Sequence, residues 1–248
     1  MTKPMPPLPE GRSLPLANPD ADTPTLSIII PMLNEAADIQ TALAPLQVLR
    51  EAGTEIIVVD GGSSDNSVAL ATPLADALLI SDPGRARQMN LGAEHARAAA
   101  LVFLHADTQL PAGAVELITQ ALNTHCWGRF DIHLEGQSRW LPLVSRMMNL
   151  RSRLTDIATG DQCLFIRRTT FNTVGGFPDQ PLMEDIELSK RLKALASPNC
   201  LRTKVISSGR RWDKFGAWKT ICLMWRLRYR YWRGVSASQL AKEYRNAR

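Results

Sequence analysis

Short apolar runs alternate along the chain with longer stretches of helical spacing, and that alternation predicts the architecture. Residues 26–31 (LSIIIP) and 55–60 (EIIVVD) are near-continuous apolar runs rich in β-branched residues, the pattern of strands covered on both faces. Residues 77–80 (ALLI) and 100–105 (ALVFLH) read the same way. Between them, residues 36–51 place Ile39, Leu43, Leu46 and Leu49 on one helical side. Residues 64–71, 84–99 and 111–122 also read as helices, with Pro111 suited to a first turn. Strand and helix in strict alternation predict a parallel sheet flanked by helices. The second half is less regular. Residues 129–135 (RFDIHLE), 162–167 (QCLFIR) and 203–207 read as strands. Residues 141–154 and 183–195 read as helices, and 215–245 as one or two more. Both halves are expected to share one sheet.

Composition narrows the class. The 248 residues are 45% hydrophobic and 21% charged, ordinary for a soluble globular chain. Four cysteines without a CxxC pair point to a reduced, cytoplasmic setting. No apolar run reaches the ~18 residues of a spanning helix, and the N-terminus lacks a charged-then-apolar signal pattern. Seven of the sixteen prolines fall in residues 1–24, which are expected to be a flexible leader before a domain over 25–212. The remainder, 213–248, reads as a basic, aromatic, helical tail. The net charge of +5 divides into +11 over residues 202–248 and −6 before them. In the tail, Trp218, Trp225, Tyr229 and Trp232 interleave with Lys219, Arg226, Arg228, Arg230 and Arg233. That pattern suits an anionic membrane surface, with the protein peripheral on its inner face. A helix packed on the domain would show the same pattern. The acidic body argues against nucleic acid.

In open α/β sheets ligands bind beyond the carboxyl ends of the strands. Those ends carry Asn34 and Glu35, then Asp60, then His105 and Asp107, and parallel strands bring all five to one edge. Helix capping accounts for Ser64 and Asp65 as well as any ligand would. It does not account for Asp60 and Asp107, each following an apolar strand. Such carboxylates suit a nucleotide and a divalent cation, Mn²⁺ or Mg²⁺. There is no GxxxxGK[ST] loop and no GxGxxG after the first strand.

The ordered segments PMLNE, VVDGGSSDNS, GRARQMNLGA, LHADT, MEDIELSKRL and GRRW resemble family 2 glycosyltransferases of the GT-A (Rossmann-like) fold. RARQMN and FLHADT are most similar to a subgroup of small soluble bacterial members, some of them assigned to arsenosugar biosynthesis. The resemblance implies transfer of a sugar from a nucleotide-diphosphate sugar to an acceptor hydroxyl, with inversion. The acceptor is left open between a small molecule and a lipid-linked one. Pro31, Asn34, Glu35, Asp60 and Ala106 would line the nucleotide pocket. Arg85 and Arg87 would approach the sugar or diphosphate, Asn90 would fix a loop, and Arg211 would bridge the diphosphate. Asp107 matches the last acid of the family's metal motif, with His105 where the family often has Asp. Asp185 would be the general base, with Glu184, Asp161 and Trp212 on the acceptor side. On composition alone, Glu184, Asp185 and Glu187 also fit a helix start balanced by Lys190, Arg191 and Lys193 at its end. Ser208 stands where many relatives have Gln. The rivals are a nucleotidyltransferase-like enzyme and a basic membrane- or nucleic-acid-binding module without catalysis.

Overall fold

The apolar runs of the first half become the centre of one mixed sheet in the structure, a computed structural model that describes residues 23–247. The expected leader therefore lies almost wholly outside the described residues. The strands are β1 (Ser27–Met32), β2 (Glu55–Asp60), β3 (Ala77–Ile80), β4 (Ala100–Phe103), β5 (Thr108–Gln109), β6 (Trp127–Glu135), β7 (Leu164–Arg167) and β8 (Asn199–Ser208). Their order is β3-β2-β1-β4-β7-β6-β8-β5. The first four are parallel, as the alternation predicts. β7 runs antiparallel to both β4 and β6, and β5 antiparallel to β8.

Side-chain alternation divides the core into two layers. Ile28, Ile30 and Met32 of β1 and Ile56 and Val58 of β2 enter one layer, and Ile29, Ile57 and Val59 enter the other. The first layer takes its helical cover from α1 (Ile39–Leu43), α5 (Ala114–Thr124) and α6 (Leu141–Thr155). The second is covered by α4 (Arg85–His95), α7 (Arg168–Thr173) and α8 (Glu184–Lys193). The expected helix over 36–51 is broken: a 3-10 turn over Ala44–Leu46, holding Pro45, separates α1 from α2 (Gln47–Glu51). Proline's missing N–H interrupts the ladder there. α3 (Ser67–Ala71) starts three residues later than expected. Pro111 precedes α5 rather than opening it, because Gly113 at φ +70 turns the chain first. On α6, Met148 packs on the first layer while its neighbour Met147 is 45% exposed.

The sheet curls, and sequence separation shows why. β5 lies four ladder steps from β4, ~19 Å in a flat sheet. Only four residues separate Phe103 from Thr108, and Thr108 N donates to His105 O at 3.0 Å, so that link is not extended. The far edge must therefore return toward β4, which brings residues 105–108 and the end of β8 together. Past β8 come α9 (Arg210–Phe215), α10 (Ala217–Trp232) and α11 (Ala237–Asn246). α9 runs across the boundary expected at 212/213. Leu227 and Leu240 form a small third cluster with Met183 and Ile186.

Candidate active site

The ends of β1 and β2 meet in register, Met32 opposite Asp60. Beyond them two loops are laced together. Asn34 adopts φ +54, a left-handed conformation that asparagine tolerates. Its N–H donates to Ser63 Oγ at 2.8 Å and its Oδ1 accepts from Ser64 N at 2.8 Å. Glu35 N donates to Ser67 Oγ at 2.8 Å. Asp65 accepts from Ala36 N at 3.1 Å and Ser67 N at 3.0 Å; it lies one residue before the N-cap Asn66 of α3, so it ties the two loops together rather than capping the helix. Asp60 is 2% exposed and accepts from the Gly62 and Ser63 N–H groups, each at 2.9 Å. Gln88, buried on α4, donates to Met32 O at 2.7 Å and Val59 O at 2.8 Å, holding the strands where they part. Sequence reading passed over Gln88. The available signal was an amide in the centre of an otherwise apolar helical face.

Asp107 is seated by β8. Its carbonyl accepts from Ser208 N at 3.1 Å, and Thr108 Oγ1 donates to Ser207 Oγ at 3.0 Å. This places Arg210, the first residue of α9, over the strand ends. Its Nη2 lies 3.8 Å from both Asp107 Oδ2 and Glu35 Oε2, and it pairs with Asp38. Burial pushes the Glu35 carboxyl up; Arg210 opposes this, and Asp107, Asp38 and Asp65 add to it. Arg210, not the expected Arg211, is the cation over this edge. Consecutive helical residues diverge by ~100°, so one of an Arg-Arg pair must turn away. The Arg211 guanidinium lies 5.2 Å from the Tyr244 ring centre.

A second group of polar residues lines a pocket against the start of α8, walled by Met89, Phe103, Leu164 and Phe177. Met183 at φ +66 turns the chain abruptly into the helix. Asp185 accepts from Gly160 N at 3.0 Å and Ile186 N at 2.7 Å. Burial, and then the neighbouring Glu184 charge, push its carboxyl up to about 6. Glu184 is buried and lies 3.5 Å from Arg85 Nη1. His105 Nδ1 lies 3.1 Å from Asp161 Oδ1. Its Nε2 is buried without a partner, and a Cβ on Gly160 would fall 2.3 Å from it. Burial alone would raise the Asp161 carboxyl, but the His105 hydrogen bond and the His105, Arg85 and Arg211 charges hold it at about 2. Asn90 ties down the loop before the pocket, donating to Phe177 O at 2.8 Å and accepting from Phe177 N at 2.9 Å. Arg151 of α6 is a further cation that sequence reading missed. Its Nε and Nη2 are buried without hydrogen-bond partners, and it feels the Asp185 and Asp161 charges.

The expected residues thus fall into three groups. Asn34, Glu35, Asp60 and Asp107 share the strand-end edge; Pro31 lies in β1 opposite Val59, and Ala106 is buried in the larger core layer. Arg85, His105, Asp161, Glu184 and Asp185 share the pocket. Arg87 and Trp212 join neither: Arg87 clamps Asp179 through Nε at 2.9 Å and Nη2 at 3.0 Å, and Trp212 packs on the larger core layer. Among the described residues no three His, Cys, Asp or Glu side chains converge as a metal cage. A cation shared with a diphosphate needs only one or two carboxylates, and the half-exposed Asp107 fits that demand. The His105 nitrogens face residues 160–161 instead.

Residues 27–171, more than half of the chain, match the family model described as glycosyl transferase family 2. The chain belongs to this family. It is 36% identical over 180 residues to a PGL/p-HBAD biosynthesis glycosyltransferase of Mycobacterium bovis, covering 62% of this chain and 63% of that one. It is 30% identical over 156 residues to an undecaprenyl-phosphate 4-deoxy-4-formamido-L-arabinose transferase of Sodalis glossinidius, covering 57% and 48%. The chain spans less than two thirds of the length of the curated relatives it matches. A family 2-like GT-A fold is shared with a mannosyltransferase of Pyrobaculum calidifontis solved with GDP-Man and Mn²⁺. Its TM-score is 0.58 at 18% identity, over 94% of this chain and 72% of that one.

Proposed function

We propose that the protein transfers a sugar from a nucleotide-diphosphate sugar to an acceptor hydroxyl, with inversion at the anomeric carbon. The observation that carries this reading is Asp185: a carboxylate set by two backbone N–H groups in the lining of a pocket, with its affinity for a proton raised. A base must take the hydroxyl proton as the new bond forms, and a carboxyl shifted toward neutrality does so better than an ordinary one. The nucleotide lies over Asn34, Glu35 and Asp60, and Asp107 holds the divalent cation. When bound, that cation neutralises charge gathering on the departing nucleoside diphosphate. Arg85 and Arg210 add positive charge from either side, and Glu184 keeps Arg85 in place. The Mn²⁺ and nucleotide sugar in the Pyrobaculum structure support the donor class. The family match favours this chemistry over the nucleotidyltransferase-like and binding-only alternatives. For the acceptor, a position near an anionic membrane is supported by the exposed aromatics of α10 and by the lipid phosphate in the Sodalis relative's name.

The test is Asp185→Asn, assayed for turnover of nucleotide sugars and for nucleoside diphosphate binding with Mn²⁺. Turnover should fall by roughly 10²–10⁴-fold while nucleotide affinity stays near wild type. Near-normal turnover with a lowered melting temperature would make Asp185 a helix-start residue only, and the reading would fail.

A further inference from the structure

Large exposed apolar side chains are concentrated on two helices. Trp140, Leu143, Met147, Leu150 and Leu154 recur every three or four residues along α6 and the residue before it. Trp218, Trp225, Tyr229 and Trp232 form one stripe on α10. Exposure runs from 37% at Trp140 to 76% at Leu154. The two stripes meet where the Trp140 and Trp218 rings approach to 5.9 Å. Neither is a core face left open. α6 buries Leu141 and Val144 on its other side, and α10 buries Leu227. Basic groups accompany both stripes: Arg146 on α6, and Lys219, Arg226, Arg228 and Arg230 on α10, with no Asp or Glu on either helix, while Arg151 and Arg153 of α6 face inward. Glu243 of α11 partly balances Arg226 and Arg230.

We propose that the joined outer faces of α6 and α10 are a docking surface for an anionic lipid bilayer. Tryptophan and tyrosine beside arginine and lysine fit the headgroup boundary, with Leu150, Leu154 and Met147 entering the acyl edge. Charge decides against a second copy of this chain, because a two-fold contact would set these cations against themselves. No described helix is long and apolar enough to cross a membrane, so the contact is superficial. The surface is tied to the reaction centre. Leu227 packs with Met183 and Ile186, which flank Glu184 and Asp185, and Tyr231 Oη bonds Glu187 Oε2 at 3.2 Å. A docked α10 therefore holds Asp185 at a fixed height above the lipid, where a lipid-borne hydroxyl is presented. That last step rests on the proposed sugar transfer; the surface does not.

The experiment is co-sedimentation of the full chain with phosphatidylcholine vesicles, with and without phosphatidylglycerol, across a salt series. Wild type should pellet with anionic vesicles at low salt and be released as salt rises. Leu150→Gln with Leu154→Gln, and separately Trp225→Gln with Trp232→Gln, should each lower the partition at least tenfold at unchanged melting temperature. Arg146→Gln with Lys219→Gln should lower it roughly 25-fold, about fivefold for each cation. Wild type remaining in the supernatant with anionic vesicles overturns the proposal. So does an α6 pair that partitions as wild type does, or a doubling of mass in light scattering that the same variants abolish without any vesicle binding. Nucleoside diphosphate binding with Mn²⁺, measured on every variant, separates the two ideas. Lost vesicle binding with intact nucleotide binding removes the surface alone, and the converse removes the sugar transfer alone.

Discussion

Asp60 and Asp185 stand in comparable positions, each where a regular element meets a loop on the ligand side of the sheet, yet their surroundings differ in kind. Asp60 is folded onto its own turn, accepting from Gly62 and Ser63. Asp185 also accepts two N–H bonds, but burial and Glu184 override them and raise its proton affinity. One carboxylate is engaged in holding its own loop. The other is held under electrostatic tension at a pocket. The residue type is the same, and local desolvation and neighbouring charge separate the tasks.

The largest expected effect follows from that tension. If Asp185 is the base, kcat/KM rises about tenfold per pH unit until about pH 6 and then levels. In Asp185→Asn this limb disappears along with the turnover. Stability runs the opposite way with pH. A carboxyl whose folded value is raised from 3.8 to about 6 stabilises the fold most below pH ~4, and that contribution is lost as pH rises through 6. The melting temperature of Asp185→Asn relative to wild type should therefore improve between pH 4 and pH 7, by the equivalent of about 2 kcal/mol after screening by pocket water. A difference independent of pH would overturn the raised proton affinity of Asp185.

Asp107 comes next. Asp107→Asn keeps the hydrogen bonds of its backbone to β8 and removes the charge. Mn²⁺-dependent nucleoside diphosphate affinity, read by calorimetry, should fall on the order of 100-fold, with melting temperature little changed. Undiminished Mn²⁺ dependence would retire Asp107 as the cation's residue. Asp60→Ala should lower stability by about 1–2 kcal/mol as the Gly62 and Ser63 donors lose their acceptor, and weaken nucleotide binding along with it. A loss of nucleotide binding without any loss of stability would show Asp60 to be a ligand group rather than a loop clasp.

The same contrast explains what was legible in the sequence. Strands β1, β2 and β4 were readable because both their faces are buried, which leaves an unbroken apolar run. β5 was not, since a two-residue strand has no period to detect. α9 was hidden because, beside the packing of Trp212 on the core, its hold on the domain is polar: Asp213 accepts from Gln137 N at 2.9 Å and Ser138 N at 2.8 Å. At the site, motif order pointed to Asp107 and Asp185, whose proximity to a strand end or helix start is a local property. Arg210, Gln88 and Arg151 escaped because their roles depend on elements distant in the chain. Arg210 reaches Glu35 and Asp107 only because the sheet curls. The tail raised two alternatives, packed helix or membrane surface, and α10 has a face suited to each: Leu227 inward, Trp218, Trp225, Tyr229 and Trp232 outward.

The smallest effect separates the two adjacent arginines. Arg210 pairs with exposed carboxylates, and such pairs contribute ~0–1 kcal/mol, so Arg210→Gln should barely move the melting temperature. Its position between Glu35 and Asp107 gives it another consequence. With the nucleotide absent it screens two like charges; with a diphosphate present it supplies positive charge at the same place. Arg210→Gln should therefore weaken nucleoside diphosphate binding about tenfold and flatten its salt dependence, the cost of one charged contact. Arg211→Gln removes a cation from the Tyr244 ring and should cost stability of ~0.5–1 kcal/mol with nucleotide affinity preserved. Titrating both variants with the same nucleoside diphosphate decides the matter. If Arg211→Gln loses the affinity and Arg210→Gln keeps it, α9 must turn by about one residue when the nucleotide arrives, and the unliganded edge would not be the binding geometry.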